Sequence, residues 1–169
     1  MIRISWDRKE LANELKKEIP FSRLSIPVSI SIDGIEIIPY AQPELKLLFN
    51  DLYAIFCYLD PKSSETRKTY TSPQDHLSIL ALEIRFSLSE EDPDKMIIHY
   101  PSDPSSSLVI DRKKIVQFKD FVKSVLDANL VFLDDCVTVN PGLQNNPQWM
   151  QLDHEYKMMK SWYTEKWKK

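Results

Sequence analysis

Apolar and polar positions alternate most cleanly over residues 24–38. Leu24, Ile26, Val28, Ile30 and Ile32 take every second position, with Ser25, Pro27, Ser29 and Ser31 between them. A period of two sends alternate side chains to opposite faces, so this run predicts a half-buried strand. Asp33-Gly34 is a favoured type I′ pair, and Ile35–Ile38 is expected to return as the second arm of a hairpin. Pro27 has no N–H to donate, which puts the strand at a sheet edge or gives it a bulge. A second alternating run, residues 76–88, sets Leu80, Leu82, Ile84, Phe86 and Leu88 on one face. The segment "SEEDPD" then turns the chain into "KMIIHY", and "PSDPSSS" leads to a short third arm at 108–110.

Other stretches repeat at helical spacing. Residues 1–6 read as a short strand. Asp7 reads as a helix N-cap with Glu10 as its capping-box partner. Leu11, Leu15 and Ile19 follow as a stripe that Pro20 ends. Over residues 43–59, Pro43 suits a first helical turn and Glu44 its positive end. Leu45, Leu48, Leu52, Ile55 and Leu59 form one stripe, widened by Phe49, Tyr53 and Phe56, so this helix is expected to be buried over more than half its circumference. Asp111 is expected to cap a helix with Ile115, Phe118, Val122, Val125 and Leu126 inward and Lys113, Lys114, Lys119 and Lys123 facing water. Residues 130–139 fit either helix or strand. Residues 60–75 and "NPGLQNNP" read as loops, and a last helix runs from about Pro147 to Lys166.

Strands arranged in hairpins, rather than alternating singly with helices, predict an α+β fold: a mainly antiparallel sheet with helices packed against it. The 169 residues suit a single domain spanning 1–169. Its core should include Ile26, Val28, Ile30, Leu48, Leu52, Ile55, Leu82, Ile84, Phe86, Phe118 and Val122.

Composition removes several function classes. Gly34 and Gly142 are the only glycines, too few for a phosphate cradle that brings backbone close to a nucleotide. A net charge of −3 argues against a dedicated nucleic-acid binder, which needs a basic stripe. No stretch approaches the ~18 uncharged apolar residues of a membrane span. The opening segment turns charged too early for a secretion signal. A cytoplasmic protein is expected. Cys57 and Cys136 lie in apolar runs and read as two buried thiols.

Candidate chemistry is sparse. His76, His99 and His154 form no i, i+4 pair and there is no Cys-x-x-Cys, so neither a metal nor another cofactor is expected. Gly-x-Ser-x-Gly is absent. Apolar surroundings at Cys57, and Asp134 and Asp135 before Cys136, disfavour a thiolate. No catalytic residue is assigned and an enzyme is not expected. The alternative is a site assembled only in space, with Glu83, Arg85 and His99 on neighbouring strands as its candidates. Glu90, Glu91, Asp92 and Asp94 crowd one hairpin tip, either as a solvated turn or as an acidic patch for a basic partner. Trp149, Tyr156, Trp162, Tyr163 and Trp167 fall on the last helix. Leu152, Tyr156, Met159 and Tyr163 make one stripe, and Trp149, Met158 and Trp162 fall off it. Residues 149–169 carry five lysines against three acids, net +2, which leaves −5 for residues 1–148. This helix docks on the core, presents aromatic anchors to a partner, with Trp162 and Trp167 as the candidates, or lies at a membrane interface. In the second form the chain is a regulatory or structural subunit.

The segment "VSISIDGIEIIPYAQPELKLLFNDLYAIFCYL" sets a hairpin closed on Asp-Gly before a proline break and an apolar helix, and "LVIDRKKIVQFKDFVKSVL" adds a capped helix after a short strand. This arrangement resembles small α+β immunity proteins that bacteria encode beside polymorphic or contact-dependent toxins. The resemblance implies a non-catalytic, cytosolic protein-binding module that neutralises a cognate basic toxin domain. A protein partner is expected, not nucleic acid or a membrane, and the chain is expected to be a monomer or weak homodimer. The resemblance carries no functional residue over, because such proteins share no binding motif.

Overall fold

The computed structural model describes residues 1–41, 43–60, 75–79, 82–102 and 110–167. The fold is α+β. Among the described residues, one antiparallel sheet of three strands and one of four are accompanied by four α-helices.

The first sheet comprises β1 (Ile2–Trp6), β2 (Val28–Ile32) and β3 (Ile35–Ala41). The Asp33-Gly34 turn forms as the sequence predicts, with positive φ at both residues (51° and 80°) and Ile32 paired to Ile35. Pro27 precedes β2 and takes no part in its ladder. That strand is central rather than at an edge, because β1 pairs along its other side from Ile2↔Ile32 to Trp6↔Val28. The irregularity lies between β2 and β3: the register shifts twice between Val28 and Ser31. Consecutive Ile37 and Ile38 are both buried there. Leu24 and Ile26 are buried before the strand begins.

Helix α1 (Arg8–Leu15) starts as expected, with the Asp7 carboxylate accepting from the N–H groups of Lys9 and Glu10 at 2.7 and 3.2 Å. It ends earlier than expected and leaves Ile19 exposed. Helix α2 (Leu45–Leu59) is buried over most of its surface. Glu44 sits at its N-cap, without a capping side-chain bond.

The second sheet departs further from expectation. The run 76–88 is two strands, β4 (His76–Ile79) and β5 (Leu82–Leu88), which pair antiparallel from Ile79↔Leu82 to His76↔Arg85. Leu80, and the side chain of Leu82 expected in the core, lie outside the described residues. β6 (Lys95–Tyr100) follows the acidic turn as expected. The strand that follows β6 among the described residues is β7 (Arg112–Gln117); of the expected arm at 108–110, residues 108 and 109 lie outside the described residues. Asp111 therefore caps no helix; its carboxylate accepts from the N–H and hydroxyl of Ser102, both at 2.7 Å. Six-residue pairing with β6, from Lys95↔Gln117 to Tyr100↔Arg112, takes 112–117 from the helical pattern, since backbone pairing overrides weak helix propensity.

Helix α3 (Phe118–Val139) is continuous, which makes 130–139 helical. After a short 3-10 turn at Pro141–Asn145, α4 runs Pro147–Trp167. One hydrophobic cluster links both sheets to α2, α3 and α4. It includes Ile26, Val28, Ile30, Leu48, Leu52, Ile55, Ile84, Phe86, Phe118 and Val122, as predicted. Phe132 stacks on Phe21 and Phe49 at 6.0 and 5.6 Å and meets Trp6 edge-on at 6.1 Å.

Candidate partner-binding surfaces

The acidic turn between β5 and β6 is a fixed structure. Its Asp92 Oδ1 accepts from the Asp94 N–H at 3.1 Å, while Oδ2 meets Lys95 Nζ at 3.1 Å. These two partners, the lysine first, hold the Asp92 carboxyl below its ordinary range. Asp92 is thus engaged inside the turn. Glu90, Glu91 and Asp94 are exposed. The Asp94 carbonyl accepts from the Phe118 N–H at 2.8 Å, which ties the tip to the first residue of α3.

Phe118 in turn touches Trp162 and Trp167, with ring centroids 6.2 and 5.5 Å apart. The acids and the two tryptophans named from sequence therefore meet at one end of α3. Their surfaces differ, however. Trp162 is only 8% exposed, stacked on Phe56 at 6.3 Å, and its indole N–H reaches Asp60. Its faces are taken up within the chain. Trp167 is half-buried and packs on Trp162 at 5.4 Å and Tyr163 at 5.2 Å. The Lys166 ammonium stands 5.2–5.9 Å from the Phe118, Trp162 and Trp167 rings.

Glu83, Arg85 and His99 share the outer face of the second sheet. Arg85 Nε donates to Glu83 Oε1 at 2.7 Å. Arg85 pairs in register with His76 on one side and His99 on the other, and His99 pairs with Lys113. The result is a lateral row of four nitrogen-bearing side chains across four strands. Asp75 Oδ1 lies 3.0 Å from His76 Nδ1, and that contact lowers the Asp75 pKa. Arg85 is exposed, and the clefts of the protein described next are lined by other residues.

The largest of these is a cleft of about 430 Å³ between β1 and α3. Ile2, Ile4 and Trp6 supply its apolar wall, and Ser124, Asp127, Ala128 and Val131 its helical floor. Ser124 and Val131 each lie three or four residues from both Asp127 and Ala128, so the four form one stripe of α3. A smaller hollow of about 220 Å³ shares Ile2 and Ser124 with it and reaches Met1, Asp33 and Ile115. Arg8 at the rim is paired with Asp135 at 3.0 Å, and Asp127 with Lys123 at 2.5 Å. Arg3 has no ion-pair partner among the described residues. Trp6 Nε1 is buried without a hydrogen-bond partner, an uncompensated donor of the kind that native interiors rarely leave.

Sequence reasoning placed β1 but gave it no role. The alternation Ile2-Arg3-Ile4-Ser5-Trp6 signals a one-sided strand. Its edge position follows from the pairing order of distant strands, which no local pattern encodes. Among the described residues, no cluster of three or more His, Cys, Asp and Glu side chains is arranged to hold a metal. Nor, among the described residues, is any helix long and apolar enough to cross a membrane. Comparison with family models, curated proteins and solved structures finds no match.

Proposed function

We propose that this chain is a non-catalytic protein-binding module. The observation that carries the reading is the open cleft beside β1, where an apolar strand face and a helix stripe meet without a covering element among the described residues. Half-buried Ile2, Ile4 and Trp6 offer apolar area that a partner can remove from water. The exposed Glu90, Glu91 and Asp94 add a second, electrostatic component suited to a cationic partner. Neutralisation of a basic toxin domain, as the immunity-protein resemblance implies, is the specific form that this acidic tip favours.

The test is site-specific photo-crosslinking in the native host. A benzophenone side chain replaces Val131 in the cleft, Glu91 at the acidic tip, or Lys160 on the exposed side of α4. A discrete protein adduct from Val131 or Glu91, absent from Lys160, is expected. Loss of protein adducts at both positions would remove the reading.

A further inference from the structure

Among the described residues four strands lie at sheet edges, and three of them carry devices that discourage pairing with another chain. β3 contains Pro39 and the register shifts against β2. β4 spans only four residues. β7 presents Arg112, Lys113 and Lys114. β1 has none of these: its pairing with β2 is regular over five residues and Arg3 is its one charge.

The free side of β1 can be assigned atom by atom. Asp33 N–H donates to the Met1 carbonyl at 2.8 Å. In an antiparallel ladder, bonded and non-bonded pairs alternate. The register Ile2↔Ile32, Arg3↔Ser31 then makes Arg3 and Ser5 the residues that bond to β2. The N–H and C=O groups of Ile2, Ile4 and Trp6 point outward, over the cleft. None of them has another backbone partner among the described residues. Those groups recur every second residue, roughly 6.7 Å apart. Only an extended backbone repeats its own donors and acceptors at that spacing; a helix rises about 1.5 Å per residue.

We propose that β1 is a docking edge for an extended segment of a partner protein, which adds a fourth strand to the three-stranded sheet. This rests on the protein-binding reading and names its ligand chemistry. The segment places apolar side chains at alternate positions over Ser124, Ala128 and Val131 of α3. An acidic residue on its solvent face pairs with unpartnered Arg3. The inward face of an added strand extends the apolar wall of Ile2, Ile4 and Trp6. A second copy of the chain is a poorer occupant. Two-fold pairing of β1 with its counterpart, about 4.8 Å away, brings two α3 helices beneath the same place, where packed helices need about 8–10 Å between axes.

The experiment selects a displayed random heptapeptide library against the full chain, then follows amide exchange by NMR with an enriched peptide. Enriched peptides are expected to carry apolar residues at i, i+2 and i+4 with an acid between. Exchange at Ile4 and Trp6 should slow by ~10-fold or more, while Arg3 and Ser5, already bonded to β2, change little. Ile4→Pro removes an outward N–H without breaking the β2 ladder and should weaken the peptide by about tenfold. If that variant does not fold, Ser124→Trp fills the floor and should do the same. Undiminished binding by a folded variant would overturn the proposal. So would protection confined to residues 90–94, or concentration-dependent slowing at Ile4 and Trp6 without peptide, which is self-association. Failure to enrich any peptide overturns the docking edge alone, since the Val131 crosslink judges protein binding separately.

Discussion

The indole N–H of Trp162 donates to the Asp60 carboxylate across 3.2 Å and so joins α4 to the residue that ends α2. The ring itself lies between Phe56 and Phe118. Truncating a buried aromatic removes its transfer free energy and leaves a cavity, so Trp162→Ala should destabilise the fold by about 3–5 kcal/mol. Trp162→Phe keeps most of the packing and loses the bond, at about 1 kcal/mol. Urea unfolding of the two variants checks both. Near-native stability of Trp162→Ala would mean that this end of α4 is not part of the core. Deleting residues 147–169 should abolish cooperative folding, because Leu152 and Met159 are fully buried on the same helix.

Asn129 on α3 donates to the Tyr53 hydroxyl on α2 inside the core, and its own Oδ1 has no partner. Tyr53→Phe leaves a fully buried amide without that acceptor and should cost about 1–3 kcal/mol. Adding Asn129→Leu removes the orphaned amide, so the double variant should recover most of the loss. A double variant no more stable than Tyr53→Phe alone would show that shape, rather than the unpaired amide, sets the cost.

The parts of the fold that were legible in sequence are those decided within a few residues. Asp7 caps α1 through its own neighbours, and Asp33-Gly34 closes its hairpin because the turn requires two positive φ angles. The parts that were not legible depend on distant partners. Residues 112–117 carry Ile115 and then Phe118 at helical spacing, yet pairing with β6 makes them a strand. No glycine or proline marks the change of direction between Ile79 and Leu82, so one apolar run read as one strand. Trp162 fell off the stripe of α4 because that stripe assumes burial on one side, whereas α4 packs on both α2 and α3. The acids at 90–94 form one group in the sequence, and the structure separates Asp92, bound within the turn, from its exposed neighbours.

Cys57 and Cys136 are both buried, and no disulfide joins them. Burial raises the Cys136 thiol pKa, and the charge of Asp135 adds to that shift. The thiolate is the reactive form, so neither cysteine should react with iodoacetamide at about pH 8 in the native state. Both should be labelled in denaturant. Mass spectrometry before and after unfolding decides it, and rapid native labelling of Cys136 would place it at the surface.

Asp33 joins the two sheets, accepting from the Met1 ammonium and from Lys114 on β7 at 3.3 Å. These partners, the ammonium first, lower its pKa from the ordinary 3.8. A carboxyl with a depressed folded-state pKa stabilises the fold above its unfolded value and loses that contribution as pH falls through the folded one. Asn tolerates the left-handed backbone at this position, so Asp33→Asn removes the charge without straining the turn. The stability gap between wild type and variant should be present near neutral pH, shrink as pH falls below about 4, and shrink also with added salt. A gap independent of both would assign it to hydrogen-bond geometry instead of charge.

The acidic tip makes a kinetic prediction. Glu90, Glu91 and Asp94 are exposed, so long-range attraction acts mainly on diffusional encounter and is screened over about 8–10 Å at ordinary ionic strength. Asp92 must be left in place, since its carboxylate holds the Asp94 N–H and Lys95 and its loss would loosen the turn. Against a crosslinked partner that proves basic, a variant with Glu90, Glu91 and Asp94 changed to Ser should associate about 3- to 10-fold more slowly at low salt. Its dissociation rate should hardly change, because rim charges contribute little to the bound state. The difference should vanish at high ionic strength. Stopped-flow measurements across a salt series test this, with thermal melting to confirm that the turn is intact. Equal association rates at low salt would exclude these three acids from the encounter surface. A large rise in dissociation rate would instead place the hairpin inside the bound interface, next to the Phe118–Trp167 contact that supports it.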